Sequence, residues 1–377
     1  MEVLEKTTYR PTWAEVDLGA VRHNLRKIRA LIDEDVHVLA VVKANAYGHG
    51  ISQVSRALVE EGVNYLGVAT VDEGLKLRCE GITVPVLVLG SVLDEEAQAA
   101  VENDITLTLC DTGLLEVLSG IAGRTGRTPR VHIKVDTGMG RIGVWHEDAV
   151  EFIKKARSFD GIEIEGLYTH FSSAGRDKLM TRMQISCFEK VINEAERSGV
   201  RLKYKHAANS IAVVDWRRSH LNLVRTGILL YGVYPKESFR DEFELYPVMN
   251  LKTRIVHLKD TPPGRSISYG RTYITQTDTR IATIPIGYAD GYGRILSNKA
   301  EALVKGQYVR IVGMVTMDQT LLDVGNVKDV RVGDEVVLLG SQGRSSIPVE
   351  KIAKLAGTIP YEILSAITDR VPRVYKE

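Results

Sequence analysis

The side chains best suited to chemistry fall at the ends of short apolar runs. The run 36–42 ends in Lys43. A lysine emerging from an apolar interior is desolvated, which lowers its pKa and suits it to imine chemistry. Taken alone, a lysine at a strand end is more often solvated. Arg225 follows another run, 221–224, and a guanidinium, with a pKa above about 12, can only donate. His170 closes the run 162–168; an isolated histidine there reads as a satisfied core residue. Ser210 opens a predicted helix and offers a hydroxyl and an N–H to an anion, although serine at that place is ordinarily a cap. Arg141 follows a glycine-rich stretch and by composition is a surface arginine. Tyr269, alone, reads as a packing tyrosine. A phenol starts near a pKa of about 10 and needs nearby positive charge to act as a base near neutral pH.

These residues need a scaffold, and the pattern of runs supplies one. Apolar runs at 36–42, 65–69, 84–89, 105–109, 131–135, 162–168, 202–206 and 221–224 alternate with amphipathic stretches. Helices are expected at 72–79, 95–102 and 181–198, and earlier at 18–32, where Leu18, Val21, Leu25, Ile28 and Leu31 share a face. Eight nearly continuous apolar strands separated by helices predict an α/β barrel, a TIM-like closed parallel sheet with both faces covered. An open doubly wound sheet is the alternative; it usually has fewer strands and a glycine-rich first turn. From about Phe243 the texture changes to runs at 251–258, 280–286, 308–315 and 335–339, broken by Pro262-Pro263-Gly264, Lys305-Gly306 and Val332-Gly333-Asp334. One short helix is expected, at 348–356. The reading is a barrel over 12–242 and a mostly β domain over 243–377, with residues 1–11 free to pack on the latter.

Composition narrows the function classes. Of 377 residues, 44% are hydrophobic and 26% charged, and 49 basic residues against 48 acidic ones leave a net charge of +1. That balance carries neither a nucleic-acid footprint nor a membrane-surface one, and no run is long enough to span a bilayer. Cys79, Cys110 and Cys187 are too few and too scattered for a disulfide framework or a metal site. The N-terminal segment carries charge and no apolar h-region, so a cytoplasmic location is expected.

The string Val41-Val42-Lys43-Ala44-Asn45-Ala46-Tyr47-Gly48-His49-Gly50 closely resembles the cofactor-lysine motif of alanine racemases. The resemblance spans the chain. It continues through Lys134-Val135-Asp136-Thr137-Gly138-Met139-Gly140-Arg141, Thr169-His170-Phe171, Ala208-Asn209-Ser210 and Arg225-Thr226-Gly227-Ile228. Beyond the barrel it includes Ser268-Tyr269-Gly270, Gly287-Tyr288-Ala289-Asp290-Gly291, Met317-Asp318-Gln319 and Thr358-Ile359-Pro360-Tyr361-Glu362. The family has a barrel that binds pyridoxal 5'-phosphate (PLP), followed by a β domain. Its activity is interconversion of L- and D-alanine, supplying D-alanine for peptidoglycan.

The resemblance implies roles. Lys43 would hold PLP and move a proton on one face of the substrate, with Tyr269 acting on the opposite face. In similar enzymes that tyrosine comes from the partner subunit, which makes the active unit a homodimer with shared sites. Arg225 would face the pyridine nitrogen, leaving it unprotonated and limiting side reactions, with His170 and His206 in support. Tyr47, Asn209, Ser210, Gly227, Ile228 and Tyr361 would surround the cofactor phosphate and its shell. Arg141 and the Met317 N–H would take the substrate carboxylate, with Tyr288 at the entrance and Asp318 in support. Several relatives carbamylate the lysine at the position of Lys134. One departure is that Val315-Thr316-Met317 lacks the cysteine often found just before that methionine. The nearest rival is a serine or broad-specificity racemase of the same fold. A decarboxylase would place a carboxylate where Arg225 stands. A single-barrel, non-catalytic PLP protein would lack the β domain and Tyr269.

Overall fold

In the computed structural model, which describes residues 9–377, all eight runs form parallel strands. They are β1 (His37–Val41), β2 (Tyr65–Val68), β3 (Val86–Val88), β4 (Leu107–Leu109), β5 (Arg130–Asp136), β6 (Glu163–Tyr168), β7 (Tyr204–His206) and β8 (Leu223–Thr226). Pairing runs β8-β1-β2-β3 and β4-β5-β6-β7. The two arcs join through a parallel bridge from Leu87 to Thr106. On the other side, Arg225 N–H donates to Ala208 O at 2.9 Å and Asn222 N–H to Lys205 O at 3.4 Å. The sheet is therefore a closed barrel, not an open one, and closure removes both edges that would otherwise need covering. Helices at Val71–Cys79, Asp94–Glu102 and Lys178–Arg197 lie where periodicity expects them.

The barrel strands are not uniformly apolar. Val38, Leu39, Leu66, Leu87, Leu107 and Ile133 are buried, and so are Thr106, Thr108, His132, Lys134, Asp136, Glu165, His206 and Arg225. Ionisable groups in such a setting must be paired or hydrogen-bonded. That requirement shapes the site described below.

Two compact units divide the chain. One is Val21–Ala46 with Ile51–Tyr246; the other takes residues 9–20, Tyr47–Gly50 and Pro247–Glu377. The second unit is built on a sheet of ten strands, nine of them in the order 257–261, 279–284, 320–323, 307–311, 301–304, 335–342, 249–254, 12–17, 373–376. Strand Thr12–Asp17 pairs antiparallel with Met249–Arg254 and parallel with Arg373–Lys376. It thus lies in the β unit, although a boundary drawn at residue 12 puts it on the barrel side. Its alternation of buried Thr12, Ala14 and Val16 is that of a sheet with one covered face. Arg10 joins the same unit by donating to both carboxylate oxygens of Asp290, at 2.5 and 2.6 Å. Of the residues 1–11 expected to pack here, 1–8 lie outside the described residues.

Two further features differ from the sequence reading. The run 251–258 is two strands, Met249–Arg254 and His257–Thr261, because Ile255 and Val256 donate to Asp334 and Thr283 on different neighbours. The β unit also holds a second helix, Pro360–Ser365, beyond Val349–Ala356. Gly357, at φ 71°, ends the first helix in the left-handed conformation that glycine tolerates, and Pro360 at the first turn starts the next.

Asp290 is the polar centre of this unit. Fully buried, it accepts from Arg10 and from Gly287 N–H at 2.9 Å, and forms an ion pair with Arg370 at 3.3 Å. Replacing it by alanine leaves those donors without their acceptor. Asp290→Ala is expected to lower stability by about 1.5–3 kcal/mol in urea unfolding, whereas Asp260→Ala, an exposed control, is expected to leave it within about 0.5 kcal/mol.

Candidate active site

Immediately after β1 the backbone does something L-residues resist. Ala44, Asn45, Ala46 and Tyr47 all take φ near +50°, at 52, 54, 54 and 52°. A left-handed conformation costs about 1–2 kcal/mol per residue, so four in succession must be held by their surroundings. Ala46 N–H donates to Val42 O at 2.7 Å, and Asn45 Oδ1 accepts from Ile51 N–H at 2.9 Å. The Glu73 carboxylate accepts from Ala44 N–H at 2.6 Å and from Ala69 N–H at 2.8 Å, tying this turn to the end of β2. The result fixes Lys43 at the mouth of the barrel, half-buried. Burial, then the charge of Arg141, lowers its pKa.

That lysine is one of four cations, with Lys134, Arg141 and Arg225, whose charges act together on His170. Lys134, on β5, is buried and donates to Val135 O at 3.1 Å. Burial, then the Arg225 charge, brings it down to about 8. Arg225, on β8, is buried as well, and burial lowers it to about 10, still protonated near neutral pH. Its partners are all neutral: Thr169 O at 2.7 Å, Ala207 O at 3.0 Å, His206 Nδ1 at 3.0 Å and His170 Nδ1 at 3.2 Å. Both imidazoles are kept neutral, chiefly by burial and then by the Arg225 charge. Arg141 is exposed and follows a loop moulded by Asp136, whose carboxylate accepts from Gly138, Met139 and Gly140 N–H, each at 2.8 Å.

At the ends of β7 and β8 the cap assignment changes. Asn209, not Ser210, caps the short helix Ser210–Asp215, its Oδ1 accepting from Ala212 N–H at 3.1 Å. Ser210 Oγ instead accepts from Gly227 N–H at 3.0 Å, bridging the two strand ends. Thr226 Oγ1, beside them, is buried without a hydrogen-bond partner. Lys43, Lys134, Arg141, His170, His206, Asn209, Ser210, Arg225, Gly227 and Ile228 all belong to the barrel unit.

The other candidates belong to the β unit. The rings of Tyr47 and Tyr361 lie 5.8 Å apart, and burial raises the pKa of both. Gly287 packs so closely on Thr316 O and Met317 O that a Cβ would lie 2.2 and 2.4 Å from them. Tyr288 and Ala289 N–H donate to those two carbonyls at 3.0 and 3.1 Å. The Met317 N–H has no acceptor among the described residues. Asp318 pairs with Arg370 at 2.6 Å. Tyr269 lies on a tight turn between the strands Ser266–Ile267 and Tyr273–Ile274, 73% exposed, and its hydroxyl has no partner among the described residues.

Sequence reasoning passed over Glu73, His132 and Glu165. The last two were legible as polar residues inside the apolar runs 131–135 and 162–168, His132 beside Lys134 and Glu165 beside Glu163. Glu73 carried no such signal, since an acidic residue in a first helical turn is ordinary. Among the described residues no group of His, Cys, Asp or Glu could hold a metal ion, and no helix is long and apolar enough to cross a membrane.

A closed α/β barrel that gathers lysines, arginines and neutral histidines at the carboxyl ends of its strands is the framework of a barrel enzyme for an anionic ligand. The family model for the alanine racemase N-terminal domain matches residues 16–235, and that for the C-terminal domain matches 248–375. The chain belongs to the alanine racemase family and is an isomerase. It is 48% identical to alanine racemase 2 of Caldanaerobacter subterraneus subsp. tengcongensis over 97% of this chain and 95% of that one. Alanine racemase of Clostridium difficile superposes with a TM-score of 0.93 at 41% identity, covering 98% of this chain and 97% of that one. A histidine racemase of Leuconostoc mesenteroides superposes with a TM-score of 0.90 at 31% identity, covering 98% and 99%.

Lys134 carries a pH signature. Between about pH 8 and the ordinary lysine value of 10.5, the unfolded chain holds this proton and the folded one does not, so stability rises with pH across that window. In CO2-free buffer, where the amine is unmodified, urea unfolding should show a rise of about 3 kcal/mol that Lys134→Met lacks.

Proposed function

We propose that the chain racemises alanine with PLP bound at the barrel mouth, by proton transfer between Lys43 and Tyr269 on opposite faces of the substrate. The observation that carries this reading is that adjacent strands β1 and β8 present, just beyond the end of one and on the other, a desolvated lysine and a buried arginine that has only neutral partners. The donor set fits an anionic cofactor. Lys43, Lys134, Arg141 and Arg225 lower one another's proton affinity or that of their neighbours, and Thr226 Oγ1 is an unused buried donor. PLP, when bound, supplies an electron sink that acidifies the substrate Cα–H.

The protein's own groups do the rest. Tyr47, Asn209, Ser210, Gly227, Ile228 and Tyr361 hold the phosphate. Arg225, which can only donate, faces the pyridine nitrogen with His206 behind it and His170 beside the ring. Arg141 and the Met317 N–H bind the substrate carboxylate, with Tyr288 at the entrance and Asp318 bracing Arg370. The depressed pKa of Lys43 leaves a larger share of neutral amine to take a proton. Lys134, brought down to about 8 by burial and by the charges of Arg225 and Arg141, favours carbamylation, since only a neutral amine adds CO2 and the product anion relieves the local charge.

Tyr269 reads as the group that completes a partner's site. It is 73% exposed, belongs to the β unit, and among the described residues has no partner to orient its hydroxyl. A homodimer with shared sites gives it a role. We assign the reaction to the cytoplasm and its product to peptidoglycan, on family likeness alone.

The test is racemisation of L-alanine, L-serine and L-histidine by wild type, Lys43→Ala and Tyr269→Phe, alongside the visible absorbance of bound PLP. Wild type should bind PLP and prefer alanine. Each variant should lose about 10²–10⁴-fold in kcat. A 1:1 mixture of Lys43→Ala and Tyr269→Phe that exchanges subunits at random should recover about a quarter of wild-type activity, because half of the dimers are hybrids and one of the two sites in each has both groups. No recovery on mixing would place both groups in one subunit, and a wild type that turns over serine or histidine but not alanine would overturn the substrate.

A further inference from the structure

A chain of buried polar groups leads away from Arg225 through the barrel interior. His206 Nδ1 lies 3.0 Å from Arg225 Nη1, His206 Nε2 lies 2.8 Å from His132 Nδ1, and His132 Nε2 lies 3.4 Å from Glu165 Oε2. Glu165, 2% exposed, also accepts from the Tyr65 hydroxyl at 2.9 Å and, through Oε1, from Lys203 Nζ at 3.0 Å. The two histidines and the glutamate sit on β7, β5 and β6, three neighbouring strands, so the path crosses the barrel without leaving it.

The ends of this chain determine its direction. A guanidinium can only donate, so His206 Nδ1 must be the bare nitrogen and Nε2 must carry the hydrogen. That hydrogen points at His132 Nδ1, which must then accept. His132 Nε2 therefore carries its hydrogen and donates to Glu165. A second proton on either ring would set two donors against each other. Burial opposes it as well. At the far end, burial tends to raise the Glu165 carboxyl, but the hydrogen bonds from His132, Lys203 and Tyr65 outweigh it and hold it at about 2. An ionised carboxylate can only accept, so both ends impose the same orientation.

We infer that Glu165 is a positioning residue for Arg225, acting through two neutral histidines locked as Nε2–H tautomers. Its charge polarises the chain and makes His206 Nδ1 a stronger acceptor. The buried guanidinium, which has no carboxylate in contact, is thereby held in one orientation as a donor. The functional part rests on the proposed placement of Arg225 against the pyridine nitrogen. A loosely held Arg225 would let that nitrogen gain a proton, and the enzyme would convert more alanine and PLP to pyruvate and pyridoxamine phosphate per racemisation.

The test uses the PLP-loaded protein with 15N-labelled histidine, the two signals being assigned by their loss in His132→Gln and His206→Gln. Both rings should show a protonated Nε2 and a bare Nδ1 in wild type. An Nδ1–H tautomer or an imidazolium at either ring overturns the chain whatever the enzyme's activity, so this readout is independent of the proposed reaction. Glu165→Leu should lower kcat for alanine roughly tenfold with KM nearly unchanged, and raise pyruvate formed per racemisation severalfold. Glu165→Gln, which keeps the shape and one acceptor, should fall between Leu and wild type in both. Wild-type kcat and pyruvate ratio per bound PLP in both variants, with only thermal stability reduced, would make Glu165 merely structural and overturn the inference.

Discussion

A guanidinium enclosed in a parallel barrel must have every donor satisfied, and this constraint organises the barrel unit. Arg225 cannot shed its charge or accept a hydrogen bond, so everything it touches must be an acceptor. The strand-end carbonyls of Thr169 and Ala207 serve directly. The two imidazoles serve only in one tautomer, and that choice sets the protonation of the groups behind them. A barrel interior, with layers of side chains from alternate strands, is a suitable frame for such an arrangement. Period-2 alternation places His132, Lys134 and Asp136 of β5 on one face.

Strain is concentrated beside this polar core. The left-handed turn after Lys43 would be unstable in isolation, and it persists because the Glu73 carboxylate accepts from Ala44 N–H, Val42 O accepts from Ala46 N–H and Asn45 Oδ1 accepts from Ile51 N–H. The same turn carries the chain from the barrel unit into the four residues Tyr47–Gly50 that cluster with the β unit. There Gly48 and Gly50, both at positive φ, approach Leu364 O and the Tyr375 hydroxyl so closely that a Cβ at either would sit about 2 Å from them. The glycines of the motif thus serve packing.

The two-unit organisation separates the candidate groups by task. The barrel unit carries the cationic candidates Lys43, Lys134, Arg141 and Arg225, and burial and mutual repulsion lower the proton affinity of the two lysines and of Arg225. The β unit carries the tyrosines Tyr47, Tyr269, Tyr288 and Tyr361, with Met317 and Asp318.

Much of this was legible in the residues themselves. Eight apolar runs specify eight buried parallel strands because a strand covered on both faces has no use for polar alternation, and all eight form. The change of texture near Phe243 marks the β unit, because short runs broken by Pro and Gly cannot build βα units. The motif around Lys43 points to its chemistry through resemblance, not periodicity. Other features needed the tertiary structure. Strand Thr12–Asp17 joins a sheet more than two hundred residues away in sequence, and no local pattern encodes a partner. Asn209 rather than Ser210 caps the helix, because Gly227 from the next strand supplies Ser210 with a better use for its oxygen. Above all, His132, Glu165 and Glu73 acquire meaning only when distant segments meet. A hydrogen bond has an angle and a length of a few ångströms, and one-dimensional spacing cannot specify either across a barrel.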